Sequence, residues 1–92
     1  MIKFDGWEDS ELSSCRKSLM QFPDGTCIMK AIVCKTINDA WCFFLIDKEY
    51  GVGNAPRTIC ENMEQAKFIC DLHMINIGFN IEEPFFLEKN NV

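Results

Sequence analysis

Thr58-Ile-Cys-Glu-Asn-Met-Glu-Gln-Ala-Lys-Phe-Ile-Cys-Asp-Leu-His-Met-Ile-Asn-Ile-Gly78 is the stretch whose reading decides the fold. Ile59, Met63, Ala66, Cys70, His73, Met74 and Ile77 recur at steps of three and four, the spacing of one face of an α-helix. Thr58 and Glu61 have the spacing of a capping box, and Gly78 suits the position just past the last turn. Glu61, Glu64, Gln65, Lys67 and Asp71 fall outside the apolar stripe, so the pattern predicts an amphipathic helix with these five in solvent.

Upstream, Thr26 to Thr36 is rich in β-branched and apolar residues, with Ile28, Lys30, Ile32 and Cys34 on one side and Met29, Ala31 and Val33 on the other. Ile37-Asn-Asp-Ala40 supplies turn residues, and Trp41 to Tyr50 completes a β-hairpin. Trp41 to Ile46 is apolar on both faces, which implies a covered central strand or an oligomer contact. Before the hairpin, Pro23-Asp24-Gly25 reads as a turn. Asp9 and Ser10 suit an N-cap, and Leu12, Cys15, Leu19 and Met20 follow at helical spacing, giving a second amphipathic helix that ends before Pro23. Met1 to Phe4 is a short arm or edge strand. Phe79 to Glu82 and Phe85 to Leu87 alternate as a last strand interrupted at Pro84, and the polar tail from Glu88 to Val92 is expected to fray. The expected class is α+β: two amphipathic helices packed on a small antiparallel sheet, in the order α-β-β-α-β, as one domain spanning residues 1–92.

Composition narrows the function classes. Apolar residues make up 48% of the chain and charged residues 25%, which is ordinary for a globular domain. Fourteen acidic side chains against nine basic ones give a formal charge of −5, the wrong sign for direct binding to nucleic acid or to an anionic membrane surface. No apolar run is long enough to cross a bilayer, and the opening residues lack the basic head and apolar body of a secretory signal, so the expected location is cytoplasmic. In that setting the six cysteines read as reduced core residues rather than a disulfide framework.

No motif for chemistry is complete. Cys70 and His73 share a helical face and could form a thiol–imidazole pair or two metal ligands, yet His73 is the single histidine and the chain has no Cys-x-x-Cys. Gly51-Val-Gly-Asn before the helix lacks the remaining residues of a dinucleotide fingerprint or a P-loop. The helix, hairpin and second helix share half a topology with double-stranded RNA-binding domains. The stretch that would meet phosphate, Ala55 to Ile59, carries one cation and no lysine, which excludes RNA. No catalytic residue, cofactor or metal is expected.

The acidic and aromatic residues are the surface signal. Asp5, Glu8, Asp9 and Glu11 face only Lys3 in the first eleven residues, and Glu82 and Glu83 form a second acidic pair. Trp7 and Phe86 are the aromatic candidates beside them. In size, charge and absence of a motif the chain resembles the small phage and mobile-element inhibitors of the anti-CRISPR type. That resemblance implies a non-enzymatic inhibitor that lays an acidic face into a basic, nucleic-acid-binding groove of a protein complex. The alternative is an assembly subunit or homodimeric adaptor joined through Trp41 to Ile46 or through Phe85 and Phe86. A small enzyme using Cys70 and His73 is the third reading.

Overall fold

The computed structural model describes residues 3–47, 51–53 and 59–86. Expectations attached to Tyr50, Arg57, Thr58, Leu87 and the tail lie outside the described residues. Five strands, β1 (Glu8–Asp9), β2 (Ser13–Lys17), β3 (Met29–Lys35), β4 (Trp41–Asp47) and β5 (Gly51–Gly53), form one antiparallel sheet in chain order. The helix α1 (Met63–Asn76) packs across β3 and β4 on one face.

The β3–β4 hairpin is the one expected, in register from Lys35 opposite Trp41 to Met29 opposite Asp47. Its turn and the turn at Pro23 share one design. Gly25 N–H donates to the Phe22 carbonyl at 2.9 Å, as Asp39 N–H does to Thr36 at 3.2 Å. The opening residue of each turn then donates back, Phe22 to Thr26 and Thr36 to Ala40. The fourth position is left-handed in both, at φ 88° for Gly25 and 60° for Asp39, a conformation glycine adopts without strain and aspartate tolerates.

Two expected elements are corrected. The N-terminal helix does not form: residues 13–17 are β2, so there is one helix among the described residues, not two, and their order is five strands followed by α1. The inward residues of β2 and its extension, Ser14, Arg16 and Ser18, are buried and polar, while Leu12, Leu19 and Met20 are more than half exposed. The three-to-four spacing of the apolar residues therefore marked no buried face. The expected last strand also does not form among its described residues, 79–86. Asn80 makes a single parallel bridge to Lys3, and Pro84 to Phe86 form no regular structure.

The second helix is real, with its start moved inward. Asn62 is the N-cap, its side-chain oxygen accepting from Gln65 N–H at 2.8 Å, and Gln65 Oε1 accepts from Glu61 N–H at 2.7 Å. At the other end Gly78, at φ 107°, donates to Ile75 O, and Phe79 N–H reaches back to Met74 O at 2.9 Å, closing a Schellman motif. Ala66, Cys70 and Met74 bury against Ala31, Val33, Phe43 and Leu45, with Cys60 and Ile81 completing the core. Ile59 and Ile77, expected in the stripe, are exposed, and Lys67 and Asp71, expected in solvent, are buried.

The chain before β1 also belongs to the sheet edge. Asp5 N–H donates to Lys17 O and Leu19 N–H to Lys3 O, both at 2.8 Å, and the Phe4 ring stands edge-on to Phe79 at 5.6 Å.

Candidate functional site

The polar interior is built on Arg16 of β2 and Asp71 of α1, which are 3% and 0% exposed. Arg16 sits on the inner face of β2, opposite the core residue Ala31, so its long side chain runs under the edge of the helix. Arg16 Nη1 donates to Asp71 Oδ2 at 2.9 Å. The same guanidinium donates through Nε to the Asp5 carbonyl at 2.9 Å and through Nη2 to the Glu83 carbonyl at 3.2 Å. Trp7 lies over it, 5.3 Å from ring centre to guanidinium carbon. Asp71 Oδ2 also accepts from Trp7 Nε1 at 3.2 Å and from Phe85 N–H at 2.8 Å, whereas Asp71 Oδ1 is buried with no hydrogen-bond partner among the described residues.

One helical turn earlier, Lys67 repeats the scheme. Its amine is 2.6 Å from Asp9 Oδ1 and 5.1 Å from the centre of the Phe85 ring. Ser14 Oγ donates to the same Asp9 oxygen at 2.6 Å. The Lys67 hydrogen bond, then that of Ser14, holds the Asp9 carboxyl below the usual aspartate range against a small opposing effect of burial. Lys67 and Asp71 thus join one face of α1 to the N-terminal arm, to β2 and to the segment after the helix. Removing either partner of a pair as buried as Arg16–Asp71 leaves an uncompensated charge, typically a loss of about 3–5 kcal/mol.

The eight residues expected at a partner surface divide into two groups. Asp9 and Trp7 are spent internally, on Lys67 and Ser14 in one case and on Arg16 and Asp71 in the other. Asp5, Glu8, Glu11, Glu82 and Glu83 are exposed, and Phe86 is 65% exposed. Glu82 pairs with Lys3 at 3.0 Å in solvent, and Glu8, Glu11 and Glu83 have no ion-pair partner among the described residues. Because one guanidinium binds the carbonyls of Asp5 and Glu83, the two acidic stretches meet at the same end of the molecule. Sequence reasoning missed Arg16, Lys67 and Asp71. The available signal was two opposite charges, Lys67 and Asp71, each directly after a buried stripe residue.

The thiols do not form a common site. All six cysteines are free; Cys60 and Cys70 are buried and the other four half-buried. Cys70 Sγ contacts Met74 Sδ at 3.9 Å rather than His73, and burial, reinforced by the Asp71 charge, pushes its thiol far up. His73 stands beside the Phe43 ring at 5.8 Å, its Nε2 buried without a hydrogen-bond partner among the described residues. Cys34 and Cys42 face each other across β3 and β4 with Sγ atoms 3.8 Å apart. Burial and the neighbouring Cys42 raise the Cys34 thiol to about 11. Among the described residues no group of three or more histidine, cysteine or acidic side chains could hold a metal ion, and no helix is long and apolar enough to cross a membrane. Comparison with family models, curated proteins and solved structures found no match for the chain.

Proposed function

We propose that the chain is a non-enzymatic binding protein of the cytoplasm that docks its acidic end onto a basic surface of a protein partner, as an inhibitor occupying a nucleic-acid-binding groove would. The observation that supports this reading is the double use of Arg16. Its bonds to the Asp5 and Glu83 carbonyls fix two acidic stretches beside each other, and the carboxylates of Glu8, Glu11 and Glu83 remain uncompensated among the described residues. A fixed scaffold matters because carboxylates held in place lose less freedom on binding than a mobile acidic tail would. Complementary charge speeds encounter and rejects acidic partners, and Phe86 offers an exposed aromatic contact beside it. The test replaces Glu8, Glu11, Glu82 and Glu83 by glutamine, leaving Asp9 and its internal partners untouched. Proteins captured from a lysate of the source organism by the native chain should include a basic partner whose affinity for the variant falls roughly tenfold or more. A captured partner bound equally by both, with the variant's circular dichroism unchanged, would sink the reading.

A second reading, self-association through the sheet face opposite α1, is favoured by the half-buried Ile32, Phe44 and Ile46 there. Native mass spectrometry separates the two, since this reading requires a stable dimer.

A further inference from the structure

We infer that a cavity on the sheet face opposite α1 is a binding site for a small apolar monocarboxylate. The cavity measures about 550 Å³, within the usual range of small-molecule sites of about 300–1000 Å³. Leu19, Ile32 and Ile46 supply apolar lining, and Lys17, Lys30 and Asp5 supply the charges.

Strand register puts the two amines side by side. Lys17 and Lys30 are direct cross-strand partners, so both side chains leave the same face, the face away from the core. Like charges directly opposite on a sheet destabilise it, and neither lysine has an ion-pair partner among the described residues. Their field reaches the neighbouring Cys15 thiol. Burial pushes that thiol up, and both amines draw it back. A bound anion would relieve the repulsion. Asp5 contributes one negative charge, so the described lining residues carry a net single positive charge, which suits one carboxylate better than a phosphate dianion. The apolar lining suits a hydrocarbon body of several carbons. Phe44, the cross-strand partner of Ile32, extends the same apolar face.

The test is an amide chemical-shift titration of the full chain with octanoate, octylammonium and octyl phosphate. Octanoate should shift the Lys17, Lys30, Ile32 and Ile46 amides saturably, octylammonium should not, and octyl phosphate should bind more weakly. Lys30→Gln should weaken octanoate binding about tenfold. Asp5→Asn should strengthen it severalfold, since the structural contacts of Asp5 to Lys17 and Arg16 run through its backbone and survive the change. These opposite signs separate charge recognition from mere loss of fold. Absence of saturable shifts would overturn the inference. So would octylammonium binding as well as octanoate, tighter binding of octyl phosphate, or unchanged affinity in a folded Lys30→Gln variant. Glu8, Glu11, Glu82 and Glu83 take no part in this site, so its failure and that of the docking surface are independent.

Discussion

Asp71→Ala is the most informative single perturbation. It removes the acceptor shared by Arg16 Nη1, Trp7 Nε1 and Phe85 N–H, and leaves a guanidinium that is 4% exposed without its counter-charge. Breaking one side of such a pair costs about 3–5 kcal/mol. A chain of 92 residues has a total stability of about 5–14 kcal/mol, from roughly 0.05–0.15 kcal/mol per residue. The variant therefore loses between a fifth and all of its stability. At about 4–8 °C per kcal/mol its Tm falls by roughly 12–40 °C. Urea unfolding followed by circular dichroism measures the loss, with Arg16→Met and the double variant Arg16→Met/Asp71→Leu completing a coupling experiment. The double variant should recover part of the loss, because two apolar side chains strand no charge, while Trp7 Nε1–H and Phe85 N–H still lose their acceptor. A loss below about 1 kcal/mol in Asp71→Ala, with no coupling to Arg16, would show that the pair is hydrated and does not clasp the arm.

Three further outcomes follow from single contacts. Asp9 has its carboxyl held below the ordinary value of 3.8 in the folded state, so its contribution is present above that value and disappears as pH falls through the lower folded value. Acid unfolding of Asp9→Asn should accordingly start from a less stable protein at neutral pH and show a flatter loss below about pH 4. Asp39→Gly should raise stability by up to about 1 kcal/mol in thermal melts, since its φ of 60° favours glycine and its contact to Lys35 is solvent-exposed; destabilisation would show that the Lys35 pair outweighs the backbone term. Oxidised glutathione should convert the Cys34 and Cys42 thiols to one intramolecular disulfide, releasing two equivalents of reduced glutathione, faster as pH rises toward the raised Cys34 value. Peptide mapping that finds a different pairing would contradict the register of β3 on β4.

Much of the frame was legible because local chemistry and tertiary position agree there. Ile37 to Ala40 carries turn residues between β-branched and aromatic runs, and the hairpin forms in that place. The stripe of Ala66, Cys70 and Met74 repeats at four residues and lies on the sheet as its spacing predicts. β2 was illegible because hydrophobic periodicity looks for apolar burial, and this strand buries Ser14, Arg16 and Ser18 instead. Lys67 and Asp71 were misplaced for the same reason: four residues apart on a helix they read as a solvated pair, and only the fold brings Asp9 and Arg16 to meet them. The expected last strand failed because Phe85 N–H is committed to Asp71 rather than to a ladder, while Ile81 turns into the core. The acidic residues themselves were visible; that two of the expected surface positions, the exposed Asp9 and the half-buried Trp7, are tied to internal partners could be read only from those partners.

The docking account is tested most directly by the salt dependence of affinity for a partner captured by the native chain. Charge-driven contact through exposed carboxylates predicts that Kd rises at least about tenfold between about 0.05 M and 0.3 M ionic strength, mainly through slower association. An affinity that stays level across that range would contradict the account.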